Sequence, residues 1–357
     1  MKKAHKKLLY FSIFLFLLST VFLPRILDME SDYATYVNIL KIFTFSFNIV
    51  LFLFRFHINK FKLLIIISLL IVSFLIFDPT LLNFIALVLF LGTIPDRKIV
   101  IKAYFSTKLL LFIIVVIIGL LGFNSEHNIY SIERGIRYTL GFTNPNTASM
   151  ILFDILLAGS IIIRNKKFLL LSLLSVIIVY IYTDTRTLIL GFLIFVLIFL
   201  IPDKRLKIFK PIIVPVFAFG ATISYLLILF HNTKLDAILN GRLSIMRIFI
   251  INNEITFFGL ARKGLLISSD NTYLRILFEF GLIFFAIYLV LHFVLMLKLF
   301  KNHEYTLIKI VVSICIYDMF EQFSIAHGTI ILIFFSFFIY EKNKRRSLMY
   351  ENSNIGS

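Results

Sequence analysis

The chain has no tryptophan, a single cysteine, and only 19 acidic residues among 357. Charged residues of both signs make up 15% of it, against about 25% in an average soluble domain. Each shortage excludes something. One thiol, Cys315, inside an apolar run, rules out an intrachain disulfide and a cysteine-based metal site. The seven histidines are scattered, with no HExxH pair of the zinc-hydrolase kind. With 60% hydrophobic residues the chain is neither disordered nor an ordinary soluble enzyme. Without tryptophan, only tyrosine can supply an aromatic belt at a membrane interface.

What is abundant is apolar sequence and base. Lys plus Arg number 36 and the formal net charge is +17. A basic chain suggests nucleic acid only when its charges form one face of a folded domain. Here they fall in short clusters separated by long apolar runs, the pattern of a chain that crosses a membrane many times. No nucleic-acid partner is expected.

A spanning helix takes about 20 apolar residues. Apolar cores at 8–23, 37–54, 63–77, 81–94, 109–123, 149–163, 168–182, 188–201, 211–230, 273–297, 306–320 and 329–340 predict an all-α polytopic protein. That is about 12 transmembrane helices, in one transmembrane domain over 1–357. The cores at 81–94 and 329–340 are short and must borrow flanking residues. The first run ends Ser19-Thr20-Val21-Phe22-Leu23-Pro24 without a small-x-small cleavage site, so it is expected to stay as a signal anchor. Of the 36 lysines and arginines, 24 fall in the alternate loops that include both termini, 9 in the opposite set and 3 inside spans. The positive-inside rule then places both termini in the cytoplasm and gives a multi-pass protein of the cell membrane. The first outer loop carries Asp28, Glu30 and Asp32 instead.

Most loops are too short for a soluble catalytic domain. Two outer loops are longer, 124–148 and 231–272, and loops beyond about 12–15 residues are usually functional or disordered. Aromatics, glycines and arginines in both argue for function, placed on the extracellular face. The arginines there run against the topology rule: Arg25, Arg134, Arg137, Arg186, Arg242, Arg247 and Arg262. Guanidinium groups hold phosphate by paired hydrogen bonds, so such a cluster fits a lipid-linked phosphate or pyrophosphate. The alternative for each is snorkelling to headgroups or pairing with a nearby acid.

Arg242 stands out. Leu235, Ile238, Leu239, Ile245, Met246 and Phe249 share one helical face, and Arg242 lies on it, seven places after Leu235. A cation pointing into an apolar face needs an anionic partner. Gly241 weakens the helix at that point. Arg186, in Thr183-Asp184-Thr185-Arg186-Thr187, either faces the same site or pairs with Asp184. In 137–147, Asn144 before Pro145 reads as a helix start, leaving Arg137 and Asn146 as sugar or phosphate contacts. Asp270 or Asn271 either caps the following helix or acts chemically. Arg275 and Glu279, four apart, are expected to neutralise each other. Asp154 has no local partner, and Asp318 and Glu321 end the eleventh core; intramembrane acids are functional candidates or packing residues.

These pieces in this order resemble the O-antigen ligase/polymerase superfamily, and within it the Wzy-type polymerases of capsular and exopolysaccharide repeat units. The residues that carry the resemblance are Arg137–Asn146 (RYTLGFTNPN), Thr183–Thr187 (TDTRT), Gly241-Arg242, Gly259 with Gly264, and Asp270–Gly281 (DNTYLRILFEFG). Asp270 stands where ligases of the superfamily carry a histidine, which favours a polymerase. The resemblance implies a metal-independent glycosyltransferase without a cofactor. It would join undecaprenyl-pyrophosphate-linked oligosaccharides on the outer face, among membrane lipids and beside a flippase and a chain-length regulator. It implies Arg242, Arg186 and Asp270 as catalytic residues, and Arg137, Asn146, Asn271, Arg247 and Arg262 as substrate contacts. The arginines are expected to converge on one diphosphate. Rival readings are a lipid-linked oligosaccharide flippase and a polymer ligase.

Overall fold

A chain this apolar has to satisfy its backbone N–H and C=O groups within each segment, and the helix does that. The computed structural model describes residues 3–27, 33–55, 79–131, 135–163, 165–230, 233–238, 241–259, 270–326 and 330–337. Of these 81% are helical and 2% lie in strands. Five helices are long and apolar enough to cross a membrane: His5–Ile26, Tyr33–Phe54, Arg97–Leu120, Pro145–Ile162 and Thr272–Lys301. Shorter apolar helices cover Leu82–Leu91, Lys167–Thr183, Arg186–Leu200, Val216–Leu229 and Tyr305–Tyr317. The expected core 63–77 and the acids Asp28, Glu30 and Asp32 lie outside the described residues. The chain forms two compact units, Met1–Thr185 with Gly328–Ser357, and Arg186–His327.

In the first unit, helix Lys3–Phe16 runs into a π-helical stretch, Leu17–Phe22, and ends in Leu23–Ile26. Pro24 has no N–H for the preceding turn, and widening of that turn is a familiar response. Thr20 Oγ1 donates to Phe16 O at 2.5 Å inside the stretch. Tyr33–Arg55 packs on Pro79–Leu91, and Arg97–Leu120 packs on Lys3–Phe16 and Pro145–Ile162. Pro145–Ile162 is buried almost throughout and forms the centre of this unit.

Two expectations need correction here. The segment 95–108 is not a basic loop. Asp96 accepts from Ile99 N at 3.1 Å and caps a helix that starts at Arg97, so Lys98 and Lys102 sit one turn apart on its exposed side and Lys108 is buried within it. Nor is the fold purely helical. Ile129–Ser131 pairs antiparallel with Gly135–Arg137, with Tyr130 opposite Ile136. The short alternating stretches there suit a hairpin better than a helix turn. The segment after the hairpin lies hard against helix Arg97–Leu120. Gly141 adopts φ +86°, and a Cβ on Gly119 would stand 2.2 Å from Gly141 N, so the close approach requires glycine at both positions.

In the second unit the expected core 211–230 is two pieces, Lys210–Ile213 and Val216–Leu229, broken at Val214-Pro215. Tyr305–Tyr317 packs on Arg186–Leu200 and on Gly281–Lys301. Thr272–Arg275 continues through a π-helical stretch, Ile276–Phe280, into Gly281–Lys301. The expected amphipathic helix of 234–251 is also two pieces, Thr233–Ile238 and Arg242–Asn252. Gly241, at φ +75°, turns the chain between them, and Asp236 accepts from Leu243 N at 2.8 Å and Ser244 N at 3.2 Å. The buried face carries Leu243, Met246 and Phe249, which join Ile228, Leu274 and Phe278. Ile245, expected on that face, is exposed. Each buried side chain of this kind is worth roughly 1.5–3 kcal/mol relative to leaving it in water, enough to dock an eleven-residue helix that could not persist alone.

Candidate functional site

Restarting the helix at Arg242 decides what its side chain meets. Arg242 is the first residue after the Gly241 turn, one turn before buried Met246 and two before Phe249, so it lies on the docked face. Its Nη2 donates to Glu321 Oε1 at 2.8 Å, its Nη1 donates to Phe320 O, and Nη1 stands 3.6 Å from Asp270 Oδ2. The anionic partner that the apolar face demanded is therefore Glu321, with Asp270 beside it. Arg242 is 13% exposed and Glu321 1%, while Asp270 is 48% exposed. Burial lowers the guanidinium's proton affinity, but Glu321 and then Asp270 outweigh it and leave its pKa raised. Burial lifts the Glu321 carboxyl above its usual range, against the opposing pull of Arg242.

The segment that receives Arg242 follows helix Tyr305–Tyr317. It is a non-helical run, Asp318–Gln322, held at every residue. Asp318 Oδ1 accepts from Thr272 Oγ1 at 2.8 Å, and its other oxygen from Ser324 Oγ at 2.5 Å. Met319 O accepts from Asn271 Nδ2 at 2.8 Å, and Phe320 O from Arg242. Glu321 Oε1 accepts from Thr187 Oγ1 at 2.6 Å as well as from Arg242, and Gln322 Oε1 accepts from Arg275. From the sequence, Asp318 and Glu321 are expected only as functional candidates or packing residues at the end of the eleventh core; their partners are not legible there. The pair of acids, three apart where an apolar helix stops, signals that donors must lie near, because acids buried there require them, but not which donors.

The remaining expected residues divide. Asn271 is the N-cap of Thr272–Arg275, with Oδ1 accepting from Leu274 N at 3.0 Å, so both ends of its amide serve the fold. Asp270, next to it, keeps an exposed carboxylate. Arg247 is exposed and, five positions beyond Arg242, points roughly 140° away round the helix. Arg186 is exposed at the start of its helix. Arg262 lies outside the described residues. The expected Arg275–Glu279 pair forms, at 2.5 Å and buried.

Arg137 and Asn146 meet within the first unit. Arg137 Nη2 donates to Asn146 Oδ1 at 2.9 Å and Nε to Thr183 O at 2.8 Å. Thr185 Oγ1 donates to the same Asn146 oxygen at 3.2 Å, and Tyr138 N bonds Tyr182 O at 2.8 Å. Asn144 caps Pro145–Ile162 as expected, accepting from Asn146 N at 2.8 Å. The Arg137 segment is thus stitched to the end of helix Lys166–Thr183, and its guanidinium is oriented by the Thr183 carbonyl and the Asn146 amide.

Asp154, which has no partner near it in sequence, has a full set in the fold. Its Oδ2 stands 2.8 Å from Lys108 Nζ and accepts from Tyr104 Oη at 2.5 Å, and its Oδ1 accepts from Ile330 N at 2.9 Å. Both charged side chains are 0% exposed. Counting Lys108 as a loop cation hid this pair.

Comparison with protein-family models, with curated proteins and with solved structures finds no match to this chain.

Proposed function

We propose that this chain is a membrane glycosyltransferase that polymerises oligosaccharide repeat units carried on undecaprenyl pyrophosphate. In this reading it has about twelve spans and cytoplasmic termini, and loops 124–148 and 231–272 form the reacting outer face. An acceptor sugar hydroxyl attacks the donor's anomeric carbon. The bond from that carbon to the lipid pyrophosphate breaks, the bonding pair leaves with the pyrophosphate, and the hydroxyl proton passes to a carboxylate. Arg242, with Arg186, stabilises the charge growing on the leaving group. Asp270 takes the proton or orients the sugar. Arg137 and Asn146 are assigned to sugar or phosphate contacts, and Arg247 and Arg262 to the approach of the anionic lipid.

The observation that carries the reading is Arg242: a guanidinium held rigidly by Glu321 and Phe320, with the exposed carboxylate of Asp270 3.6 Å away. A cation and a carboxylate at that spacing, one buried and one reachable, suit charge stabilisation next to proton transfer. In cells carrying Arg242→Ala, single repeat units should accumulate on the lipid at the outer face. Normal polymer from both Arg242→Ala and Arg186→Ala would refute the assignment.

A second reading, a flippase for the same lipid-linked oligosaccharide, is favoured by the Lys108–Asp154 pair inside an apolar helix bundle. It predicts repeat units trapped on the inner face. A polymer ligase would instead leave long chains on the lipid.

A further inference from the structure

A tension in the Arg242 site needs resolving. A phosphate would have to bind a guanidinium whose charge is already met by a buried carboxylate. Two anions facing one cation in a partly desolvated site repel each other, so both cannot keep full contact with it.

The way Glu321 is held offers an exit. Its carboxylate accepts two hydrogen bonds among the described residues and both end on the same oxygen, Oε1, one from Arg242 Nη2 at 2.8 Å and one from Thr187 Oγ1 at 2.6 Å. The contact with Arg242 is therefore a single bond, not the two parallel bonds that a phosphate can accept from a guanidinium. Thr187 anchors Glu321 independently of Arg242, so the carboxylate keeps a donor when a phosphate takes its place at the guanidinium. Phe320 O fixes Nη1 from the other side and keeps the arginine at the site during the exchange.

We infer that Glu321 is a resident anion of the Arg242 site, which a phosphate or pyrophosphate group displaces from the guanidinium on binding. The inference rests on the reading of Arg242 as a phosphate-binding residue. The resident carboxylate keeps the arginine ordered between substrates and sets a threshold: a weakly charged headgroup cannot compete with it, and a pyrophosphate can.

The test uses the purified full-length protein in detergent, titrated separately with inorganic pyrophosphate and with farnesyl pyrophosphate. Wild type should bind, Arg242→Ala should not, and Glu321→Gln should bind about tenfold more tightly, the size of one charge-assisted hydrogen bond no longer competed for. Thr187→Val retains the charge but leaves the displaced carboxylate without its anchor, and should weaken binding by a smaller factor; it keeps the test open should Glu321→Gln fail to fold. Gains with both probes mark the headgroup as the determinant, and gains with the prenyl form alone mark a lipid-borne headgroup. If wild type binds but Glu321→Gln does not tighten binding and Thr187→Val does not weaken it, Glu321 is not a competitor and the inference falls, while the phosphate reading of Arg242 stands. If neither probe binds to wild type or to Glu321→Gln, the inference and the arginine assignment fall together.

Discussion

Removing one partner of the Lys108–Asp154 pair should be among the most damaging single changes in this protein. Lys108 Nζ stands 2.8 Å from Asp154 Oδ2 and 3.0 Å from Tyr104 Oη, and neither charged side chain reaches solvent. Asp154→Asn retains an acceptor for Ile330 N but strands a buried ammonium. Breaking a buried pair in this way costs about 3–5 kcal/mol. Lys108→Met should cost less, because the Asp154 carboxyl keeps the Tyr104 hydroxyl and the Ile330 N–H as donors. With both substitutions no charge is left, and replacing a buried pair as a whole is often close to neutral. The double variant should therefore return to within about 2 kcal/mol of wild type, a coupling of the kind expected only for groups in contact. Thermal unfolding in detergent, followed by fluorescence-detected gel filtration, reads this as a loss on the order of 5–10 °C for Asp154→Asn that is largely restored in the double variant. Additive losses, or an Asp154→Asn protein as stable as wild type, would refute a buried charged pair.

Three further outcomes follow from local geometry. Gly119→Ala sets a Cβ 2.2 Å from Gly141 N and should lower the unfolding temperature sharply, whereas the same change at Gly122, which has open space around it but φ +100°, should cost only the backbone strain, about 1–3 kcal/mol. Asn271→Ala removes the cap of Thr272–Arg275 and should cost about 0.5–2 kcal/mol; Asn271→Asp keeps the acceptor and should recover part of it, and equal losses would show that the bond to Met319 O matters more. Burial raises the Glu321 carboxyl above its ordinary value near 4.5, so the fold favours the protonated form. Its contribution to stability is then fully present below about pH 4.5 and is lost as pH rises through the raised value. Glu321→Gln, which does not titrate, should therefore gain on wild type as pH rises through that window, and a gap moving the other way would contradict the raised value.

The helical segments were legible because an apolar backbone has one economical way to pair its own polar groups, and the break at Gly241 was legible with them; the break at Val214-Pro215 fell inside the expected core 211–230 and was missed. The start at Asn144-Pro145, the Arg275–Glu279 pair and the need of Arg242 for an anion were legible for a related reason: each depends on residues within one or two turns. Where local reasoning failed, it failed by treating charge as a marker of loop. Lys108 was counted as a loop residue because helices with internal lysines resemble loops in composition, and only a neighbouring helix carrying Asp154 makes its burial tolerable.

Composition and periodicity by themselves determined that this chain is a helical, membrane-suited protein with an unusual set of arginines between its apolar runs. They could not name the partners of those arginines. Arg242 and Glu321 are 79 positions apart, and Lys108 and Asp154 are 46 apart. Partnership at that range is decided by which helices pack together, because a buried charge selects its counter-ion by distance in space, a quantity that spacing along the chain does not carry.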